Sequence, residues 1–144
     1  MNIRIKRLTK TAIIPEKATK YSAGYDLSAD ITSTILIHPN ETVKIPTGIS
    51  LELPEGYFGA IYARSGLATK QGLRPANAVG ICDSDYRGEY IVVLHNDSSE
   101  TRIIEPGQRI AQLVIQQHLN CTFVESDFLE DTGRADGGFG STGV

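Results

Sequence analysis

Short runs of β-branched or alternating apolar and polar residues recur along nearly the whole chain, and no other feature limits its fold so tightly. They are IRIKRL (3–8), TSTILI (32–37), TVKIPTGISLEL (42–53), YFGAIYA (57–63), EYIVVLHN (89–96), RIIE (102–105), RIAQLVIQQ (109–117) and CTFVES (121–126). A period of two turns one face of each run toward a core, and HPNE, LPEG, HNDSSE and EPGQ supply the Gly, Pro, Asn and Asp that turns require. The pattern predicts an all-β sandwich or barrel. Only SGLATKQG (65–72) predicts a helix, a short one, with Ser65 as its cap and Gly72 as its stop.

With 144 residues, 40% hydrophobic and 22% charged, the chain suits one domain with a real core. No stretch approaches 18 consecutive apolar residues, and MNIRIKRLTK lacks the apolar run and cleavage site of a secretory signal. The expectation is a soluble intracellular protein, cytoplasmic, with no membrane partner. Cys82 and Cys121 form no CxxC, and His38, His95 and His118 share no ligand spacing with them, so neither zinc nor a disulfide is expected. A net charge of −3 argues against a broad nucleic-acid footprint. An anionic ligand would have to be met by a few placed cations.

The chain closes on GRADGGFGSTGV (133–144), in which five of twelve residues are glycine; the structured domain is therefore expected over 1–132 and a flexible arm over 133–144. Glycine loses the most backbone entropy on ordering, and only Phe139 offers much area to bury, so the arm cannot order itself. Two readings stand: a solvated tail, or a lid ordered by a ligand or a neighbouring subunit. The second uses Arg134 as a fork of donors for phosphate, Ser141 and Thr142 as hydroxyls, and Phe139 as a stacking ring.

Four further segments carry chemistry. ARSGLA (63–68) places Arg64, Ser65 and Gly66 where a strand meets the expected helix, which is either a phosphate cradle or a capping serine beside a surface arginine. In NAVGICDSDYRGEY (77–90), Asp83 or Asp85 could act as a base on water and Tyr86 could pack flat against a sugar, although Asp-Ser-Asp also reads as a plain hairpin turn. AGYDLSA (23–29) offers Asp26, and PGQRIAQLVI (106–115) offers Gln112 on a strand. No Ser/His/Asp set or P-loop is present.

In this order, AGYDL (23–27), ARSGLA (63–68), NAVGICDSDYRG (77–88), GQRIAQL (107–113) and GRADGGFGSTG (133–143) resemble the five motifs of the trimeric deoxyuridine triphosphatases, the dUTPases. The resemblance implies a jelly-roll-like distorted β-barrel of the β-clip kind with one short helix. It also implies a homotrimer with shared active sites and Mg²⁺-dependent hydrolysis of dUTP to dUMP and pyrophosphate. That reaction limits uracil incorporation into DNA and supplies dUMP for thymidylate synthesis. Asp83 matches the water-activating aspartate and Tyr86 the tyrosine under deoxyribose. Asn77, Gly80, Ile81, Cys82 and Asp83 match the hairpin that reads uracil. Arg64, Ser65, Gly66 and Gln112 match phosphate-binding positions, and Asp26 a supporting one. In the arm, Arg134 matches the γ-phosphate arginine and Phe139 the ring over uracil, while Gly140, Ser141 and Thr142 match the loop around the triphosphate. Mg²⁺ would be held by the triphosphate and waters, with no direct protein ligand.

Cys82 departs from the family's usual aliphatic residue, and oxidation there is expected to distort the hairpin and lower activity reversibly. Two rivals remain. A dCTP deaminase of the same fold would need a glutamate where Val93 stands. A catalytically silent nucleotide-sensing trimer would have no use for the base at Asp83.

Overall fold

YFGAIYA and RIAQLVIQQ become the longest ladder of the fold. The computed structural model describes residues 1–138, and in it β6 (Tyr57–Ala63) runs antiparallel to β11 (Arg109–Gln117), from Ala111 opposite Ala63 to Gln117 opposite Tyr57. On the far edges lie β2 (Tyr25–Ser28), paired with β11, and β8 (Gly80–Cys82), paired with β6, so the sheet runs β2-β11-β6-β8. A second sheet orders β4 (Thr42–Pro46), β9 (Ile91–Asn96) and β7 (Leu73–Pro75). Two ribbons complete it: β1 (Arg4–Arg7) with β5 (Ile49–Glu52), and β3 (Ile35–Ile37) with β10 (Arg102–Ile104). Every pairing is antiparallel.

The inward residues of these strands make one core. Leu27, Ile37, Ile45, Ile49, Leu94 and Ile104 are fully buried, each contributing about 1.5–3 kcal/mol relative to exposure. The expected all-β, jelly-roll-like architecture with one short helix is what the chain adopts, though among the described residues the sheets do not close into a continuous barrel.

Several local expectations are revised. The run 42–53 is two strands, broken at Thr47 and Gly48. Gly48 has φ +67, and a Cβ on it would collide with the Asp30 carboxylate. CTFVES (121–126) forms no strand. Its exposed Phe123 and Val124 find no partner strand among the described residues. The helix α1 (Ser65–Gln71) ends at Gly72 as expected, in a left-handed conformation. Ser65, however, is its first helical residue and not its cap. Arg64, extended at φ −81 and ψ 127, holds the cap position without a side-chain hydrogen bond. The strands β2, β7 and β8 lie outside the runs read from the sequence, since YDLS, LRP and GIC each hold at most one β-branched or aromatic residue.

Candidate functional site

The sequence candidates gather into two groups on this scaffold, and β6 connects them. The first group lies where β6 leads into α1. Asp26 sits on β2 opposite Gln112 of β11. Its carboxylate takes Arg64 Nε at 2.9 Å on one oxygen and Arg109 Nη1 at 3.0 Å on the other. Arg64 Nη1 also donates to the carbonyl of Arg109 at 3.2 Å. With its side chain only 17% exposed, Asp26 is a partly buried anion neutralised by two guanidinium groups, a charge-assisted arrangement that fixes their orientation. One positive charge is left over, which favours an anion in front of it.

Gln112 is held in register by donating Nε2 to the carbonyl of Ala63 at 2.9 Å. Gly24 makes room for it, because a Cβ there would overlap the Gln112 amide oxygen. Asp26, Arg64, Ser65, Gly66, Lys70 and Gln112 all line a cavity of about 420 Å³.

The second group is the hairpin that leaves β8. Gly80 pairs with Ile61 and Cys82 with Gly59, which leaves Ile81 and Asp83 exposed at the edge of the sheet. Asn77 lies close under Gly80, its Nδ2 3.5 Å from where a Cβ would be. Among the described residues no side chain or main-chain donor reaches the Asp83 carboxylate; only its carbonyl is engaged, by the Tyr86 N–H at 3.2 Å. Tyr86 is anchored by donating Oη to the carbonyl of Glu89 at 3.0 Å, and its ring lies against Gly88, where any Cβ would clash with it. Tyr90 packs beneath, its ring 6.1 Å from that of Tyr86.

Cys82 stands between these rings and Asp83. Burial pushes its thiol up to about 11, partly offset by the Tyr90 hydroxyl and reinforced by the charge of Asp83. The thiolate is the form that oxidants attack, so the site protects Cys82. Tyr90 is itself held protonated, chiefly by burial.

Among the described residues no hydrogen bond or ion pair joins the two groups. Cys82 sits across from Gly59 and Arg64 follows Ala63, so they lie five residues apart along β6, or about 17 Å. Arg134 bonds within its own turn, donating Nε to the carbonyl of Gly137 at 2.8 Å. Phe139, Gly140, Ser141 and Thr142 lie outside the described residues. Val93, half-buried on β9 opposite Lys44, offers no group for proton transfer. Sequence reasoning missed Arg109 and Lys70. Arg109 stood within the quoted GQRIAQL, but only the pairing of β2 with β11 reveals its carboxylate partner.

Among the described residues no three His, Cys, Asp or Glu side chains form a metal-binding group. Asp26 is already saturated by arginines, so the donor set suits a Mg²⁺ that keeps its waters and is carried by a polyphosphate. No helix among them is long and apolar enough to cross a membrane.

The sequence model of the dUTPase family matches residues 10–143. A deoxyuridine 5'-triphosphate nucleotidohydrolase of Desulfitobacterium hafniense is 47% identical over 145 residues, covering 100% of this chain and 96% of its own. One from Hydrogenobaculum sp. is 46% identical over 144 residues, covering 100% and 99%. Among solved structures, the Staphylococcus bacteriophage 80alpha dUTPase with dUPNHPP is 29% identical, with a TM-score of 0.86 and 99% of both chains covered. The dUTPase from phage phi11 of S. aureus is 25% identical with a TM-score of 0.80, covering 92% of this chain and 100% of its own.

Proposed function

The chain belongs to the dUTPase family, and from that premise we propose how, as a dUTP diphosphatase, it hydrolyses dUTP: a water held by Asp83 attacks the α-phosphorus. The observation that carries this assignment is the contrast between its two aspartates. Asp26 has both oxygens committed to arginines, whereas no described residue engages the Asp83 carboxylate, which leaves it to accept a proton from water. In the step, the water oxygen bonds to the α-phosphorus, its proton passes to Asp83, and the bond from that phosphorus to the bridging oxygen breaks. The products are dUMP and pyrophosphate.

The remaining roles follow the same premise. Tyr86, fixed against Gly88 and Glu89, packs under the deoxyribose and leaves no room for a 2′-hydroxyl. Asn77 and the main chain from Gly80 to Asp83 read the uracil edge. Arg64, Ser65, Gly66 and Gln112 hold phosphates, with Asp26 orienting Arg64. When bound with the triphosphate, Mg²⁺ shields its charge. The arm 133–144 acts as a lid on the 1–132 domain, Arg134 binding the γ-phosphate, Phe139 covering the uracil, and Gly140, Ser141 and Thr142 wrapping the phosphates.

We also propose a homotrimer with shared sites. A water on Asp83 must stand about 3–3.5 Å from the α-phosphorus while Arg64 holds the adjoining phosphates. The separation of about 17 Å along β6 argues that hairpin and cavity come from different chains. The exposed Leu119, Phe123, Val124, Phe128 and Leu129 supply apolar surface suited to such an assembly. The enzyme works in the cytoplasm, where it limits uracil incorporation into DNA and supplies dUMP.

The test is pyrophosphate release from dUTP, dCTP, dTTP and UTP with Mg²⁺, with each nucleotide product identified. Strong preference for dUTP, yielding dUMP, supports the reading. Release of a deaminated product from dCTP favours the deaminase, and binding of dUTP without turnover favours a sensing trimer.

A further inference from the structure

The cavity at Arg64 holds another cation, outside the five matched motifs. Lys70 lies four residues beyond Gly66 on α1, so the two share a face of the helix. Both line the same cavity of about 420 Å³ as Arg64 and Gln112. Gly66 has open space where a Cβ would stand, so an anion can settle against that face within reach of a lysine one turn away. Arg64 and Arg109 are committed to Asp26, whereas Lys70 is exposed and forms no salt bridge with any described residue. A lysine in the last turn also offsets the helix dipole, but that role needs neither the cavity nor the bare glycine facing it.

We propose that Lys70 is a further phosphate-binding residue, its ammonium taking the β,γ end of the polyphosphate, the part that leaves as pyrophosphate. The proposal rests on the reading that this cavity receives the triphosphate. It predicts that Lys70 discriminates by phosphate count: it contributes to binding a triphosphate and not to binding dUMP.

The experiment is calorimetric titration of the full-length protein, as wild type, Lys70→Gln and Lys70→Arg, with inorganic tripolyphosphate and with dUMP, alongside steady-state kinetics on dUTP. Lys70→Gln is expected to weaken tripolyphosphate about tenfold and to raise KM for dUTP by a similar factor. The loss should fall on KM more than on kcat, dUMP affinity should be unmoved, and Lys70→Arg should recover most of it. High salt should shrink the difference. Equal tripolyphosphate affinity in wild type and Lys70→Gln would overturn the proposal, as would equal weakening of dUMP and tripolyphosphate, the mark of a purely structural lysine. Lys70-dependent tripolyphosphate binding without dUTP turnover would sustain the anion site while sinking the proposed reaction. Turnover of dUTP with an indistinguishable Lys70→Gln would do the reverse.

Discussion

Asp26 and Asp83 are the same residue type in opposite circumstances, and that difference decides their proposed roles. Asp26 is spent on two guanidinium groups, and Asp83 is left open to water. Asp83→Asn should therefore bind dUTP nearly as well as wild type while kcat falls by about 10²–10⁴-fold, because an amide cannot accept the proton. Near-normal turnover in a single-turnover assay would remove Asp83 from the mechanism. Cys82 carries a second prediction. Its thiol rises from 9.0 to about 11 in the fold, and Tyr90 is also raised. Both groups hold their protons more tightly folded than unfolded; the Cys82 contribution is complete below pH 9 and is lost as pH climbs toward 11, whereas that of Tyr90 begins to be lost only above pH 10. Melting temperature should fall across that window, and Cys82→Val should flatten part of the fall. An unchanged slope in the variant would show that the thiol is not the titrating group.

At the scale of elements, the hairpin after β8 works because glycine stands at one position. Gly88 accepts the Tyr86 ring directly against its Cα, while the Tyr86 hydroxyl is tied to Glu89. Gly88→Ala should swing the ring away, relaxing discrimination of dUTP against UTP by about tenfold or more. Comparison of kcat/KM for the two nucleotides checks it, and unchanged discrimination would free the tyrosine from its proposed role. The hairpin's residue types were visible as a constellation in NAVGICDSDYRG, yet Asp-Ser-Asp reads as an ordinary turn until β8 is seen paired with β6. Gly72 ended α1 as its sequence position required. Ser65 did not cap it, because Arg64 entering straight from β6 takes the extended cap geometry instead.

For the whole molecule, the proposed sharing of the site between chains makes a prediction that no single chain could satisfy. Asp83→Asn and Arg64→Ala should each be nearly inactive alone. Mixed by unfolding and refolding together, they should regain a substantial part of wild-type activity, since some sites would pair an intact hairpin with an intact cavity. Activity no higher than the sum of the separate proteins would place both half-sites in one chain. Removing 133–144 should abolish turnover while sedimentation still reports the assembled protein, and retained turnover would show that the arm is no lid.

Alternation and turn residues settled the all-β class, the positions of β6, β9 and β11 and the stop of α1, because these depend on neighbours a few residues apart. The five motif segments likewise displayed the reactive residue types. Only the tertiary structure decided which carboxylate is neutralised and which is free, since Asp26 meets Arg64 and Arg109 through strand pairings that span the chain. It alone set Lys70 on one cavity with Asp26 and Arg64, and Cys82 against Tyr90. Charge balance and burial are properties of groups distant in sequence, and no local pattern encodes which of them will meet.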